Sequence, residues 1–319
     1  MENEHHIVLL YYRYVRIEDP GHFAAEQRAL ALRLGLTGRI IVAAEGINGT
    51  VAGSRDATDT YRATLAADPR FARMPFKVSE GSAGTFPKLS IKVRPEIVTL
   101  GAPLPFDPES DPAPHLSPSE WKHLAETDPD AVLFDARNTY ESAVGRFRGA
   151  VTPQIGNFRE LPEALEAYSH LKNKKILMYC TGGIRCEKAS ALLRHEGFRE
   201  VYQLDGGIVN YEKEMGAADD LWEGDCFVFD NRVILPMATA RGKPPVGRCA
   251  HSGRPTSHYL NCRHNPCNRL FLVEETYLAE TPAARLCPQC LAHGLTPETA
   301  IHKSRETPPM NSHATSPLR

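Results

Sequence analysis

The chain has 319 residues, with 42% hydrophobic, 24% charged and 8% aromatic residues and a formal net charge of −2 at pH 7. Such a composition fits a globular protein of two or three domains and excludes a wholly disordered chain. The longest apolar runs, Ile7–Tyr12 and Ile40–Ala44, are strand-sized, far short of the roughly 20 residues a bilayer span needs, so no membrane partner is expected.

The first hundred residues predict a strand over His6–Val15. A helix opens at Asp19-Pro20, with Phe23, Leu30, Ala31 and Leu34 on one face and Gly35 as its stop. Short strands at Ile40–Ala43 and Thr50–Ala52 flank Glu45-Gly-Ile-Asn-Gly49, where the Asn48-Gly49 pair signals a hairpin turn. A helix over Arg55–Ala66 and strands near Phe76–Glu80 and Lys88–Val93 complete a βαββαβ order, the pattern of a ferredoxin-like domain over residues 1–100.

Six prolines between Pro103 and Pro118 predict a stiff linker without regular structure, followed by a short helix over Pro118–Glu126, so residues 101–126 read as a connector. Residues 127–221 then alternate strand and helix. Strands are predicted at Ala131–Asp135, Lys175–Tyr179 and Glu200–Leu204, and helices at Glu160–Leu171, Glu187–Glu196 and Gly207–Glu214. That is the signature of a parallel, helix-covered α/β sheet. Residues 222–300 are cysteine-rich and basic with little periodicity, and 301–319 read as a disordered tail.

The sharpest chemical signal is Cys180-Thr-Gly-Gly-Ile-Arg-Cys186, between a buried-type strand and a helix. In that topology the backbone N–H groups of Thr181, Gly182, Gly183 and Ile184 converge near the helix N-terminus. A cysteine there is held as thiolate, with Arg185 adding positive charge. Four residues separate Cys180 from Arg185, one fewer than in a phosphatase cradle, which favours a smaller species than a phosphate ester. Cys186 is read mainly as a small apolar core residue, with resolution of an oxidised Cys180 as the alternative. Asp135 and Arg137, at the carboxyl end of the first parallel strand, are supporting candidates. Arg137 would hold the loop or a phosphate, or else the two would simply lock the strand end.

All eight cysteines fall at or after position 180. The start, Met-Glu-Asn-Glu-His-His, has neither a secretory nor a transit pattern, so a cytoplasmic setting with reduced thiols is expected. Cys287-x2-Cys290 has metal-knuckle spacing and Cys262-x4-Cys267 would supply a second pair, with His251, His258 and His264 as alternative ligands. A structural zinc and metal-free thiols both remain open at this stage. Charge is uneven: 13 Lys/Arg against 11 Asp/Glu in residues 1–100, 14 against 23 in 101–240, and 10 against 5 in 241–319. Arg241, Lys243, Arg248, Arg254, Arg263 and Arg269, interleaved with Tyr259 and Phe271, are RNA-binding candidates, with Asn48, Lys88, Lys92 and Arg94 as a weaker second grip.

Asp135-Ala-Arg-Asn-Thr-Tyr-Glu141, Gly145-Arg-Phe-Arg-Gly-Ala150, the Cys180 loop and Leu204-Asp-Gly-Gly-Ile208 together resemble a rhodanese domain. With Glu45-Gly-Ile-Asn-Gly-Thr50 and Phe86–Arg94 ahead of them, residues 6–292 resemble the bacterial tRNA uridine(34) hydroxylase family. That resemblance implies oxygen-dependent 5-hydroxylation of the wobble uridine in tRNA, with Cys180 as the essential cysteine by motif position. It also implies molecular oxygen as co-substrate and the tRNA anticodon region as partner, while naming no electron donor and no protein partner. A rhodanese-type sulfurtransferase forming a Cys180 persulfide is the alternative. The family pattern carries a further Cys-x2-Cys early in the C-terminal region; here it becomes Cys249-Ala-His-Ser252, which excludes an all-cysteine six-ligand arrangement.

Overall fold

A computed structural model describes residues 6–102, 112–216 and 221–301. The predicted tail beyond residue 301 and three of the six linker prolines, Pro103, Pro105 and Pro108, lie outside these residues. By contact density the chain divides into two units. One comprises residues up to Asn138 together with Ala150–Met215; the other comprises Thr139–Gly149 and the residues from Gly216 onward.

In the first unit, β1 (His6–Tyr14), α1 (Pro20–Arg33), β2 (Thr37–Ala43), β3 (Gly46–Ser54), α2 (Arg55–Ala66), β4 (Phe76–Gly81) and β5 (Leu89–Val93) build a sheet of order β4-β1-β3-β2-β5. The first four strands are mutually antiparallel neighbours, and β5 adds parallel to β2. This is the expected ferredoxin-like core with one strand appended. Asp19 caps α1 through His22 N, and Pro20 sits in the first turn, where its missing N–H costs nothing. Tyr11, Phe23, Leu30, Ile40, Val51, Tyr61 and Phe71 fill the core. Gln27 is buried with them because its side chain accepts from Tyr61 Oη, which in turn meets Tyr11 Oη at 2.6 Å.

The hairpin differs from its sequence reading. Ala43 pairs with Gly46, so the turn falls at Ala44-Glu45, and Asn48-Gly49 lies inside β3 opposite Tyr12 and Tyr11. Gly46, at φ 143°, is needed because a Cβ there would sit 2.0 Å from the Arg13 carbonyl oxygen. Asn48 is occupied within the fold: its Nδ2 donates to the Ile97 carbonyl at 2.9 Å.

β6 (His115–Leu116), α3 (Pro118–Thr127), β7 (Ala131–Asp135), β9 (Lys175–Tyr179), α6 (Ile184–His195), β10 (Glu200–Leu204) and α7 (Gly207–Met215) form the second sheet of this unit, all parallel in the order β6-β10-β9-β7. The proline-rich stretch therefore contributes a strand after all. Pro114 lacks a donor but its carbonyl accepts from Gln203 N, so His115 and Leu116 pair at a sheet edge. The predicted Glu160–Leu171 helix is split: a 3-10 turn at Phe158–Glu160, α5 (Leu161–Ala164) and a 3-10 run over Leu165–Leu171.

The second unit is built of short pieces. They are α4 (Thr139–Ser142), β8 (Gly145–Phe147), β11 (Trp222–Gly224), β12 (Cys226–Phe227), β13 (Ile234–Leu235), β14 (Tyr259–Asn261), β15 (Leu270–Leu272), α8 (Glu275–Glu280) and α9 (Pro288–Ala292). β8 pairs with β11, which sets Phe147 edge-on to Trp222 at 5.0 Å. β12 pairs with β13 and β14 with β15, each antiparallel. Among the described residues no helix is long and apolar enough to cross a membrane.

Candidate active site

Cys180 follows β9 directly, at the carboxyl edge of the parallel sheet. The helix behind it begins earlier than predicted, at Ile184, so Arg185 and Cys186 lie in its first turn. Gly183, at φ 100°, is the residue that turns the chain from loop to helix. Its N–H points at Cys180 Sγ at 3.1 Å, and the N–H groups of Arg185 and Cys186 are also directed at that sulfur. The loop is held from below by α7: Ile208 N donates to the Cys180 carbonyl and Val209 N to that of Thr181. A Cβ on Gly207 would lie 2.5 Å from the Cys180 carbonyl oxygen, which explains the second glycine of Leu204-Asp-Gly-Gly-Ile208.

Cys180 is completely buried, which alone would push its thiol pKa up. The Cys186 thiol hydrogen bond, the Arg185 charge and the converging N–H groups outweigh burial and bring it down to about 5. Cys186 shows the reverse effect. Burial, then its hydrogen bond to Cys180 and the charge there, hold it well above the ordinary thiol range. Cys186 is thus a core residue as expected, and also a donor to the thiolate. Arg185 is braced by Thr181, with Nη2 donating to Oγ1 at 3.3 Å.

Asp135 and Arg137 sit on the same sheet edge, since Asp135 is the register partner of Tyr179. Arg137 donates through Nε and Nη2 to the two Asp135 oxygens at 2.9 and 2.6 Å, and its guanidinium lies over the Tyr179 ring. Both side chains are fully buried. The geometry is a bidentate lock on the strand end beneath the loop.

Sequence reasoning missed the groups that the N-terminal domain brings to this loop. β1 runs across it: a Cβ on Gly182 would meet Leu10 Cδ2 at 2.9 Å, and one on Gly183 would meet Tyr12 Oη at 2.7 Å. Tyr12 Oη donates to Glu187 Oε1 at 3.0 Å, and Tyr14 Oη to the Ile184 carbonyl at 3.3 Å. Lys77 lies with Nζ 5.1 Å from the Tyr12 ring centroid; burial lowers its pKa, while the charges of Cys180, Asp205 and Glu187 oppose that. Glu187 also receives Gln203 Nε2 and meets His115 Nε2 at 3.2 Å. Burial raises the Glu187 pKa, but these partners prevail and lower it, and Glu187 in turn raises that of His115. Lys188, one residue on, is buried and bonds Glu45 Oε1 at 2.9 Å, Glu96 Oε2 at 2.7 Å and the Val98 carbonyl. The alternation of apolar and aromatic residues in His6–Tyr14 announced a strand, but nothing local announced which sheet face would meet a loop 170 residues away.

In the second unit all six basic candidates are exposed. Arg241, Lys243 and Arg248 form no ion pair among the described residues, whereas Arg254 pairs with Glu274 at 2.6 Å and Arg269 donates to Gln289. Tyr259 and Phe271, read as stacking aromatics, are instead core residues at 3% and 7% exposure. The sulfurs of Cys262, Cys267, Cys287 and Cys290 lie within 4.8 Å of one another, a group able to hold a metal ion. The histidines are engaged elsewhere: His251 stacks on Tyr277, His258 Nδ1 meets the Val273 carbonyl, and His264 Nδ1 accepts from Ile301 N.

Residues 6–97 match the UPF0176 acylphosphatase like domain, 117–214 the rhodanese-like domain, and 223–291 the rhodanase C-terminal domain. The chain is 47% identical over 269 residues to a tRNA uridine(34) hydroxylase of Bacillus pumilus, covering 84% of this chain and 83% of that one. It is 45% identical over 310 residues to the protein of that name in Shouchella clausii, with 93% and 94% covered, and 42% identical over 287 residues to that of Staphylococcus carnosus, with 90% of each covered. At that identity over most of its length, the chain belongs to the tRNA uridine(34) hydroxylase family.

Proposed function

We propose that this protein is an oxidoreductase that hydroxylates uridine 34 of tRNA at C5, with Cys180 as its catalytic residue. It would act in the cytoplasm on the anticodon region of its tRNA, using molecular oxygen. The observation that carries the role of Cys180 is the convergence on its sulfur of the Gly183, Arg185 and Cys186 N–H groups beside the Arg185 charge, which makes it a thiolate with a pKa of about 5. Such a group is ionised throughout the physiological range and is a nucleophile.

Uridine C5 is a poor nucleophile until something adds at C6. Addition of the Cys180 thiolate to C6 places the electron pair at C5. C5 then takes one oxygen atom from a peroxide-level species, whose O–O bond breaks to release hydroxide. Loss of the C5 proton and expulsion of the thiolate restore the ring as 5-hydroxyuridine. Reduction of oxygen to that level needs two electrons from a donor outside this chain. Cys180 has no exposed surface, and Leu10 and Tyr12 of β1 lie against Gly182 and Gly183 of its loop, so attack on a base requires side chains around the loop to move.

The test is nucleoside mass spectrometry of tRNA from a strain lacking this gene and any redundant route. Complementation with the intact chain should restore 5-hydroxyuridine and its derivatives, and Cys180→Ala should not. Unchanged levels in the deletion strain would sink the hydroxylase reading and leave sulfur transfer through a Cys180 persulfide. The covalent step has its own test. With tRNA carrying 5-fluorouridine at position 34, C6 attack leaves an adduct stable to denaturation that Cys180→Ser abolishes. Bound tRNA without an adduct would remove C6 attack alone.

A further inference from the structure

We propose that Cys262, Cys267, Cys287 and Cys290 form a closed, structural zinc centre that completes the core of the C-terminal region, independently of the reaction above. Four thiolates around Zn2+ at about 2.3 Å place sulfurs about 3.8 Å apart at the corners of a tetrahedron. Here Cys262 Sγ and Cys290 Sγ are 3.6 Å apart, Cys267 Sγ and Cys287 Sγ 3.7 Å, and all four lie within 4.8 Å of one another. Those separations are far longer than a disulfide bond of about 2.05 Å. They are close to the edges of the required tetrahedron.

The backbone is arranged around the same point. Cys262 directly follows β14 and Cys267 precedes β15, so one pair rides on a hairpin; Cys287 caps α9 and Cys290 lies inside it. The two segments are fastened beside the sulfurs. Arg263 N donates to the Arg285 carbonyl at 2.8 Å, and Cys287 N donates to Cys262 Sγ at 3.3 Å.

The packing gives the reason such a centre is needed. The cluster that contains these cysteines has only Phe271, Val273 and Leu286 as sizeable buried apolar side chains besides the cysteines. Its strands are three residues long, and α8 and α9 have six and five residues. A core of that size needs a staple, and in reduced chains the usual staple is a metal. Four sulfurs with no protein nitrogen or oxygen ligand favour zinc over magnesium, calcium or manganese.

Loading is balanced as Zn2+ plus four thiols giving a tetrathiolate of net charge −2 and four protons released to solvent, with no change in oxidation state. The exposed Arg263, Arg269 and Arg285 flank the ligand pairs in the chain and offset that dianion. Part of the basic character of residues 241–319 thereby serves the metal rather than RNA.

The experiment is elemental analysis and native mass spectrometry of the full chain purified without chelator. About one zinc per chain is expected, released in step with titration of thiols by a mercurial. Replacement by Co2+ should give thiolate-to-cobalt charge-transfer bands of a four-sulfur tetrahedron. Cys290→Ser should bind zinc weakly and Cys249→Ser normally. Should Cys290→Ser fail to fold, the intact chain still decides. Only a substoichiometric trace of zinc after reduction, incubation with Zn2+ and desalting would overturn the proposal. So would stoichiometric iron, a mass deficit showing disulfides, or full zinc content in a soluble Cys287→Ser chain.

Discussion

The two groups of cysteines solve opposite electrostatic problems. At Cys180 one sulfur faces many donors: three backbone N–H groups, the Cys186 thiol and the Arg185 charge. In the C-terminal region four sulfurs face mainly one another. A single anion amply supplied with donors is ready to react, and its helix N-terminus contributes further stabilisation. Four anions sharing a few donors repel until a cation sits among them. On the two proposals above the same residue type is a nucleophile in one place and a ligand in the other, and the count of donors per sulfur separates the two roles.

The largest effect should come from removing the one sulfur that has donors to itself. Cys180→Ala should lower hydroxylation by about a thousandfold or more, because no other group in the loop can replace a covalent nucleophile. Circular dichroism should stay close to that of the unaltered protein, and urea unfolding should differ mainly by the stabilisation that the ionised thiolate supplies, which disappears at about pH 4. Cys290→Ser should do the converse, loosening the C-terminal region while leaving the Cys180 thiolate ionised. Loss of zinc from the Cys180→Ala chain as well would erase the distinction.

A second expectation concerns how the Cys180 loop is held. Lys188 is buried against Glu45, Glu96 and the Val98 carbonyl, tying α6 to the end of the N-terminal domain. Lys188→Met removes the cation and leaves two carboxylates, each about a quarter exposed, facing each other. The expected loss is about 3 kcal/mol in equilibrium unfolding, at the low end for a broken buried pair because the carboxylates keep some water. A loss within experimental error would mean that the N-terminal domain does not support the loop.

How much of this was legible in the sequence follows from the range of each signal. The Cys180 loop, its helix and the Asp135–Arg137 edge depend on residues adjacent in the chain, so their spacing sufficed. Asn48-Gly49 misled because a strong local turn signal was overridden: Gly49 is needed inside β3, where a Cβ would strike the Tyr11 ring at 2.3 Å. Leu10, Tyr12, Tyr14 and Lys77 were invisible as site residues because their role is created by packing of β1 and β4 near a loop far along the chain. Tyr259 and Phe271 misled for the opposite reason. Aromatics among arginines look like a stacking surface, but three-residue strands of a small domain have little else to bury.

The third expectation treats the basic surface without those aromatics. Arg241, Lys243 and Arg248 are exposed and unpaired with any acid among the described residues, so they are the part of the stretch most free to meet phosphates. Reversing all three to glutamate should weaken tRNA binding by roughly tenfold or more at moderate salt and flatten the slope of log K against log salt by about 2. The Cys180 thiolate should not change. An unaltered slope would assign the three residues to a merely solvated face.

The smallest effect is the most informative about why Cys180 differs from the other cysteines. Cys186 is a positioning residue: its thiol donates to the Cys180 sulfur from the first turn of α6, and burial keeps that thiol protonated. Cys186→Ala deletes the donor and leaves Arg185 and the backbone N–H groups, so the Cys180 pKa should rise from about 5 while the site survives. Followed by thiolate ultraviolet absorbance against Cys180→Ser as blank, the midpoint should move upward, and activity at pH 6 should fall severalfold, with little change at pH 8. Cys186→Ser restores a donor of similar size and should return the profile toward its original position, which a purely packing role would not do. Stability adds an independent check. Because the folded pKa lies below the value of about 8.5 for an unfolded cysteine, Cys180 stabilises the fold fully above that pH. The contribution is lost as pH falls through about 5. Cys186→Ala should therefore cost more stability at pH 8 than at pH 4, where Cys180 is protonated in both chains and only the small cavity remains. A cost independent of pH would make Cys186 nothing more than core.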